Sequence, residues 1–190
     1  MKFKIFKFIS VASTNDVAIN LIKKRKKKIG FIYSEKQTKG RGRYGKKWAS
    51  NKGNLYCSIF FPLKRGYPTF SEFSVITPVI ISKVLENFLD KKKISFKWPN
   101  DILVNKKKIC GILQELISSN SKKFLIIGIG INIKSNPYIN KKYKATNILL
   151  EAKNKPKLKK IVNLIISSYE KFFTNLRFYN YQKFKKKLNK

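Results

Sequence analysis

The sequence predicts an α+β domain: a mixed β-sheet with helices flanking it. Three observations carry this. Short apolar, β-branched runs recur between residues 2 and 133, and two of them are close enough to pair as a hairpin. Helical spacing of apolar residues is confined to a few separate stretches, the clearest being 157–176. No G-x-G-x-x-G follows a strand and opens a helix, which argues against a dinucleotide-binding βαβ fold. The length of 190 residues, 43% of them apolar, suits one domain with a substantial core.

Each element has its own signal. Residues 2–9 are rich in Phe and Ile and read as a first strand. Val17, Ala18, Leu21 and Ile22 follow at helical spacing, with Ser13 or Thr14 as cap, Asp16 in the first turn and basic residues in the last. Ile29 to Ser34 reads as a buried strand, and 36–53 as a polar, glycine-punctuated loop. Asn54 to Phe61 is a strand ended by Pro62. A helix lies within 71–90, with Pro78 placed in a first helical turn and Thr77 as its cap. Ile94 to Trp98 is a short strand. Ile102–Val104 and Lys108–Leu116 pair around Asn105-Lys106-Lys107, and Phe124 to Ile133 is a further strand. In 157–176, Leu158, Ile161, Val162, Ile165, Tyr169 and Phe172 share one helical face, and a second short helix carries Phe178, Tyr181, Phe184 and Leu188.

Composition excludes several chemistries. There is no His, so Ser-His-Asp, Cys-His and His-ligated metal sites are ruled out. The nine acids are scattered singly, which disfavours a two-carboxylate site, and no metal-ligand set is expected. Cys57 and Cys110 sit in apolar runs and read as reduced core residues. No stretch is long enough for a transmembrane helix, and Lys2, Lys4 and Lys7 interrupt any signal-like N-terminus; a cytoplasmic protein without membrane contact is expected. The formal charge of +35 fits a polyanionic partner. Codon drift fits it better, because Lys, Asn, Ile, Phe and Tyr have A/T-rich codons and the lysines are spread along the whole chain.

Four motifs carry chemistry. In Gly40-Arg41-Gly42-Arg43-Tyr44-Gly45, glycines let the backbone approach a ligand, and Arg41 and Arg43 supply fork-shaped donors for carboxylate or phosphate. Lys46 and Lys47 add charge, and Trp48 offers a stacking face. The same loop is compatible with a basic turn or an RNA-binding segment. In Lys97-Trp98-Pro99-Asn100-Asp101, Pro99 fixes a bend that presents a cation, an amide and a carboxylate. A plain turn with a local Asx hydrogen bond explains it as well. Lys108-Ile109-Cys110-Gly111-Ile112-Leu113 aims a lysine out of a strand beside a glycine, and Gly128-Ile129-Gly130-Ile131-Asn132 is a strand that something approaches closely. A solvated lysine and a tightly packed strand are the alternatives.

In order and spacing, these four segments resemble the biotin protein ligases, with their GRGRxG loop, KWPND segment, KxxGIL segment and GxGxN strand. Ser13-Thr14-Asn15 resembles the family's S-T-N segment, and Ala145-Thr146-Asn147-Ile148-Leu149 its A-T-S-L stretch. The resemblance implies a biotinyl/lipoyl-ligase catalytic fold of the class II synthetase-like kind. It implies a ligase that makes biotinyl-adenylate from biotin and ATP with Mg²⁺, then passes biotin to a lysine of a biotin carboxyl carrier protein such as that of acetyl-CoA carboxylase. On this reading Lys108, Arg43 and Asp101 are catalytic. Ser13, Thr14, Asn15, Gln37, Gly40, Arg41, Gly42, Arg43, Lys108 and Gly111 bind biotin. Arg41, Arg43, Lys46, Trp48, Lys97, Asn100, Lys108 and Asn132 bind ATP. Residues 1–150 form the catalytic core and 151–190 its helical extension, with no winged helix before and no β-barrel after. No DNA partner is expected, and a homodimer is compatible with the family. Tyr44 and Cys110 depart from the family pattern. Two rivals stand beside this reading: a lipoate protein ligase of the same chemistry, and a basic nucleic-acid-binding module.

Overall fold

The computed structural model describes residues 1–137, 144–152 and 156–188. β1 (Ile5–Val11) and β2 (Gly30–Gln37) run parallel, because α1 (Thr14–Lys23) carries the chain back between them. β3 (Leu55–Pro62) returns antiparallel to β2. After α2 (Phe70–Leu85), the strands β4 (Ile94–Lys97), β5 (Asp101–Val104), β6 (Lys107–Ser119) and β7 (Lys122–Ile131) form an antiparallel meander, and β7 closes onto β3. The result is one seven-stranded mixed sheet in the order β1-β2-β3-β7-β6-β5-β4, as the α+β expectation required. Asn105-Lys106 and Asn120-Ser121, all at positive φ, make the two-residue turns on either side of β6. α3 (Ile148–Glu151), α4 (Leu158–Thr174) and α5 (Tyr181–Leu188) complete the described chain.

The two faces of the sheet are covered unequally. On one, Leu55, Cys57, Ile59 and Phe61 of β3 and Leu125, Ile127, Ile129 and Ile131 of β7 meet α2 and α4 in the main core. Phe173 of α4 is its aromatic hub, with ring centroids 4.8 Å from Phe61 and 5.3 Å from Phe172. On the other face, among the described residues, α1 is the helix that packs, with Ala18 and Ile22 against Ile32, Phe60, Phe124 and Ile126. Because α1 is short, it covers only part of this face.

Two capping expectations are corrected. Pro78 lies inside α2, not at its start, and the cap is Thr69, which forms a reciprocal capping box with Glu72. The Thr77 hydroxyl instead accepts a hydrogen bond from Tyr169 at 3.0 Å, tying α2 to α4. A proline in mid-helix normally disrupts it; here the helix continues because its flanking turns are buried in the core. Ser13 holds the cap position of α1 but makes no side-chain cap hydrogen bond. The neighbouring Thr14 hydroxyl is used elsewhere, in the cleft. Among the described residues, no helix is long and apolar enough to cross a membrane.

Candidate active site

Where α1 ends its cover, the sheet carries glycines. On β7, Phe124 and Ile126 pack on α1, and the next residues on that face are Gly128 and Gly130. Gly111 of β6 lies directly opposite Gly130. This bare strip floors a cleft of about 580 Å³. The first turn of α1, the 41–49 segment, Asn100, Asp101 and Ala145 line its walls.

A β-bulge delivers the lysine. Between β5 and β6 the register shifts, so that Ile102 faces Cys110 but Leu103 faces Lys108. Ile109 is the extra residue, and it is buried in the main core with Cys110 and Ile112. Strict alternation would put Lys108 on the core face too; the bulge turns it to the cleft with Gly111. Its ammonium is held 2.8 Å from the Asp101 carboxylate and 5.1 Å from the Trp48 ring. Asp101 is only 6% exposed, so it is a fixed counter-charge rather than a solvated one. The Lys108 backbone bonds to Lys144 and Thr146, which brings the Ala145-Thr146-Asn147 stretch alongside.

The glycine–arginine loop is a narrow hairpin, more ordered than a free loop. Gly42 N–H donates to the Lys46 carbonyl at 2.6 Å and Trp48 N–H to that of Gly40 at 2.9 Å. At its tip Tyr44 and Gly45 both take positive φ. The Arg43 guanidinium lies 4.9 Å from the Tyr44 ring and bonds its hydroxyl. Trp48 then folds down onto the glycine floor. A Cβ at Gly111 would stand 2.5 Å from its ring and one at Gly130 2.6 Å, so the two glycines are what admit the indole. Its Nε1 is buried without a hydrogen-bond partner among the described residues, as is Oδ1 of Asn132, whose Nδ2 bonds the Thr146 carbonyl.

At the other end, polar side chains interlock. Gln37 Oε1 accepts from Thr14 N–H at 2.8 Å, and Gln37 Nε2 donates to Ser50 at 3.1 Å. Ser58 lies 2.7 Å from the Thr14 hydroxyl and 2.5 Å from Asn15 Oδ1. Asn15 Nδ2 donates to Glu115 at 2.5 Å. Arg41 bonds Asp16 and Glu115. Burial alone would lower the Arg41 pKa, but its bonds to Asp16 and the charge of Glu115 outweigh that and raise it. Tyr56 also lines the cleft; burial pushes its phenol up to about 12, and its hydroxyl donates to the Asn51 carbonyl at 2.8 Å.

The cleft therefore collects Ser13, Thr14, Asn15, Gln37, Arg41, Gly42, Arg43, Lys46, Trp48, Asn100, Asp101, Lys108, Gly111 and Asn132. Gly40 sits behind the lining, packed on Ser50, Trp48 and Gln37. Lys97 ends β4, opposite Asp101 in register, and is exposed outside the lining. The sequence reading missed Asp16, Tyr56, Ser58 and Glu115. For Ser58 a signal was available: a small hydroxyl in an otherwise apolar strand.

A model of the biotin/lipoate A/B protein ligase family matches residues 6–132. This chain belongs to that family. The bifunctional ligase/repressor BirA of Escherichia coli is 36% identical over 125 residues, 65% of this chain and 38% of that protein. The chain thus spans well under half the length of this curated relative. Among solved structures, a biotin protein ligase from Leishmania major in complex with biotinyl-5-AMP superposes with a TM-score of 0.83 at 29% identity, over 98% of this chain and 80% of that one. The Aquifex aeolicus biotin protein ligase in complex with biotin and ATP gives 0.77 at 27% identity, over 97% and 76%. Family membership and these superpositions fix the fold.

Proposed function

We propose that the chain activates biotin with ATP to biotinyl-adenylate and transfers it to a lysine of a biotin carboxyl carrier protein. The carrying observation is the Lys108 ammonium, turned into the cleft by the bulge and fixed against Asp101 beside the Gly111–Gly130 floor. In adenylation the biotin carboxylate oxygen attacks the α-phosphorus, the bond to the β-phosphate oxygen breaks, and pyrophosphate leaves. Negative charge is shared between carboxylate and α-phosphate, and a fixed cation there lowers the barrier. Arg43, Lys46 and Lys47 line the outer cleft, where they suit the departing phosphates. In transfer, the carrier amine attacks the acyl carbon, the acyl–phosphate bond breaks, AMP leaves, and the amine loses its proton. Neither step needs a histidine; both rest on orientation.

The interlocked end fits the biotin head. Thr14, Asn15, Gln37 and Ser58 place donors and acceptors on a small area, which suits a cyclic urea. A dithiolane ring offers no matching hydrogen bonds, so this set favours biotin over lipoate. Trp48 Nε1 and Asn132 Oδ1, unpartnered among the described residues, supply a donor and an acceptor for the nucleotide side. Among the described residues no three acids or cysteines cluster, so the donor set fits Mg²⁺ carried on ATP phosphates, with Asp101 the carboxylate in the cleft lining, rather than a dedicated protein cage. When bound, the ion would neutralise phosphate charge.

The test is mass spectrometry of a carrier domain incubated with the protein, biotin and Mg-ATP, with pyrophosphate release measured with biotin or lipoate as the only acid. A biotin-sized mass gain on one lysine is expected. Release with lipoate alone would overturn the biotin assignment, and tight RNA binding without any adenylation would favour the nucleic-acid module.

A further inference from the structure

We infer that Asp16 and Glu115 are positioning residues that strap the glycine–arginine hairpin to the body of the protein through Arg41. This goes beyond the ligase reading and rests on it only for the substrate-dependent part. Arg41 lies on the hairpin, Asp16 on α1 and Glu115 on β6, so one guanidinium joins three separate elements. Formally, one positive and two negative charges leave this cluster at −1. A substrate carboxylate or phosphate brought to Arg41 would meet that net negative charge, not a free cation. The structure therefore assigns the substrate anions to Arg43, Lys46 and Lys108, and assigns Arg41 to holding the hairpin.

Glu115 does more than neutralise. It accepts from Arg41 through both oxygens, at 3.1 and 3.2 Å, and from Asn15 at 2.5 Å through the second. Asn15 is bonded by Ser58, and Ser58 is bonded to Thr14, which is bonded to Gln37. Gln37 reaches Ser50, which bonds the carbonyl of Trp48. One continuous path thus runs from the near arm of the hairpin, around the biotin-head end of the cleft, to the residues just past its far arm. Asn15 has little room to leave this path, because a Cβ at Gly128 would stand 2.5 Å from its side chain. A ligand that bonds Thr14, Asn15 or Gln37 engages the same path that fixes Arg41, so releasing the strap should weaken ligand binding. The Arg41, Asp16 and Glu115 side chains are 33%, 44% and 29% exposed, which makes the strap a releasable one.

An arginine-specific protease reads the strap directly. The chain has five arginines, two of them in the hairpin, and exposed Arg25 serves as internal reference. Without ligand, Asp16→Asn and Glu115→Gln are each expected to speed cutting after Arg41 and Arg43 about tenfold relative to Arg25, the loss of one partly exposed charged hydrogen bond. Asp16→Glu, which keeps the charge, should stay within about twofold of wild type. With biotin and ATP, the two neutral variants should raise the KM for biotin about tenfold and change kcat less than about threefold, since the strap acts on binding. A variant that merely loosened the fold would speed cutting at Arg25 as well. Unchanged hairpin cutting in both ligand-free variants overturns the strap; unchanged KM with faster cutting overturns the coupling. If the wild type neither binds biotin nor releases pyrophosphate, the ligase reading fails, while the ligand-free digestion still decides the strap.

Discussion

β7 shows two chemistries on one strand. Its residues Leu125, Ile127, Ile129 and Ile131 face the main core, while Phe124, Ile126, Gly128 and Gly130 face the opposite side. That second row changes character halfway along. Its first two side chains fill the space beneath α1, and its last two are hydrogen atoms, Gly128 against the Asn15 side chain and Gly130 beneath Trp48. The difference teaches that burial is continuous on one face and deliberately interrupted on the other. The core face supplies stability by removing apolar area from water, and the interrupted face gives some of that up to keep a floor on which a ligand can lie. If this division is real, substitutions on the two sides should move different observables.

The largest effect is expected on the core side. Phe173→Ala empties the aromatic hub that touches Phe3, Phe61, Phe73 and Phe172, and should destabilise the protein by about 3–5 kcal/mol. Below the lowered melting temperature, the KM for biotin should stay within about twofold of wild type. A large KM shift at full foldedness would break the division.

On the cleft side, Lys108→Ala should lower the rate of biotin-dependent pyrophosphate release by at least about a hundredfold, roughly 3 kcal/mol of transition-state stabilisation. Near-normal release would remove Lys108 from the chemistry. Because Asp101 then loses its cation, the variant's fold is checked by near-UV circular dichroism before rates are compared.

Much of this was legible in the sequence, for reasons that differ by region. Strands and amphipathic helices follow from local periodicity, so the mixed sheet could be read before the structure. The motif residues converged because the family resemblance carried their order. What could not be read was tertiary. Pro78 breaks the local helix pattern, and only the burial of its neighbours and the Thr69 capping box explain why α2 runs through it. The Ile109 bulge is invisible in a run of apolar residues, yet it decides which way Lys108 points. Asp16 and Glu115 lie 99 positions apart and look like solvated charges; their role exists only because Arg41 reaches both.

A smaller effect sharpens the comparison at its boundary. Gly130→Ala places a methyl 2.6 Å from the Trp48 indole, whose bulk prevents an easy retreat. Overpacking of this kind costs about 1–3 kcal/mol where the neighbours are fixed. Here the expected loss falls on ligand affinity, about tenfold, with a melting change smaller than that of Phe173→Ala, because the indole sits at the edge of an open cleft. Titration of biotin against tryptophan fluorescence reads both the affinity and the displaced ring. Unaltered fluorescence and affinity would mean that Trp48 does not rest on the floor in solution.

The smallest effect lies farthest from the cleft, at the start of α2. Thr69→Ala removes a capping box and should cost about 1 kcal/mol, with no change in biotin affinity. Its pH dependence has a definite sign. Burial alone would raise the Glu72 pKa, but hydrogen bonds from the Thr69 backbone, the Thr69 hydroxyl and Tyr179 outweigh it and hold it below the usual carboxylate value. A carboxylate whose folded pKa is depressed contributes its stability above the unfolded value of about 4.3 and loses it as pH falls through the folded value. The wild type should therefore melt higher than Thr69→Ala at pH 6, and the gap should shrink below about pH 4 as Glu72 is protonated in both. Because Tyr179 still donates to Glu72 in the variant, some acid sensitivity persists in both proteins. A gap that stays constant from pH 6 to pH 3 would assign the whole cap to the threonine hydroxyl and none of it to the carboxylate.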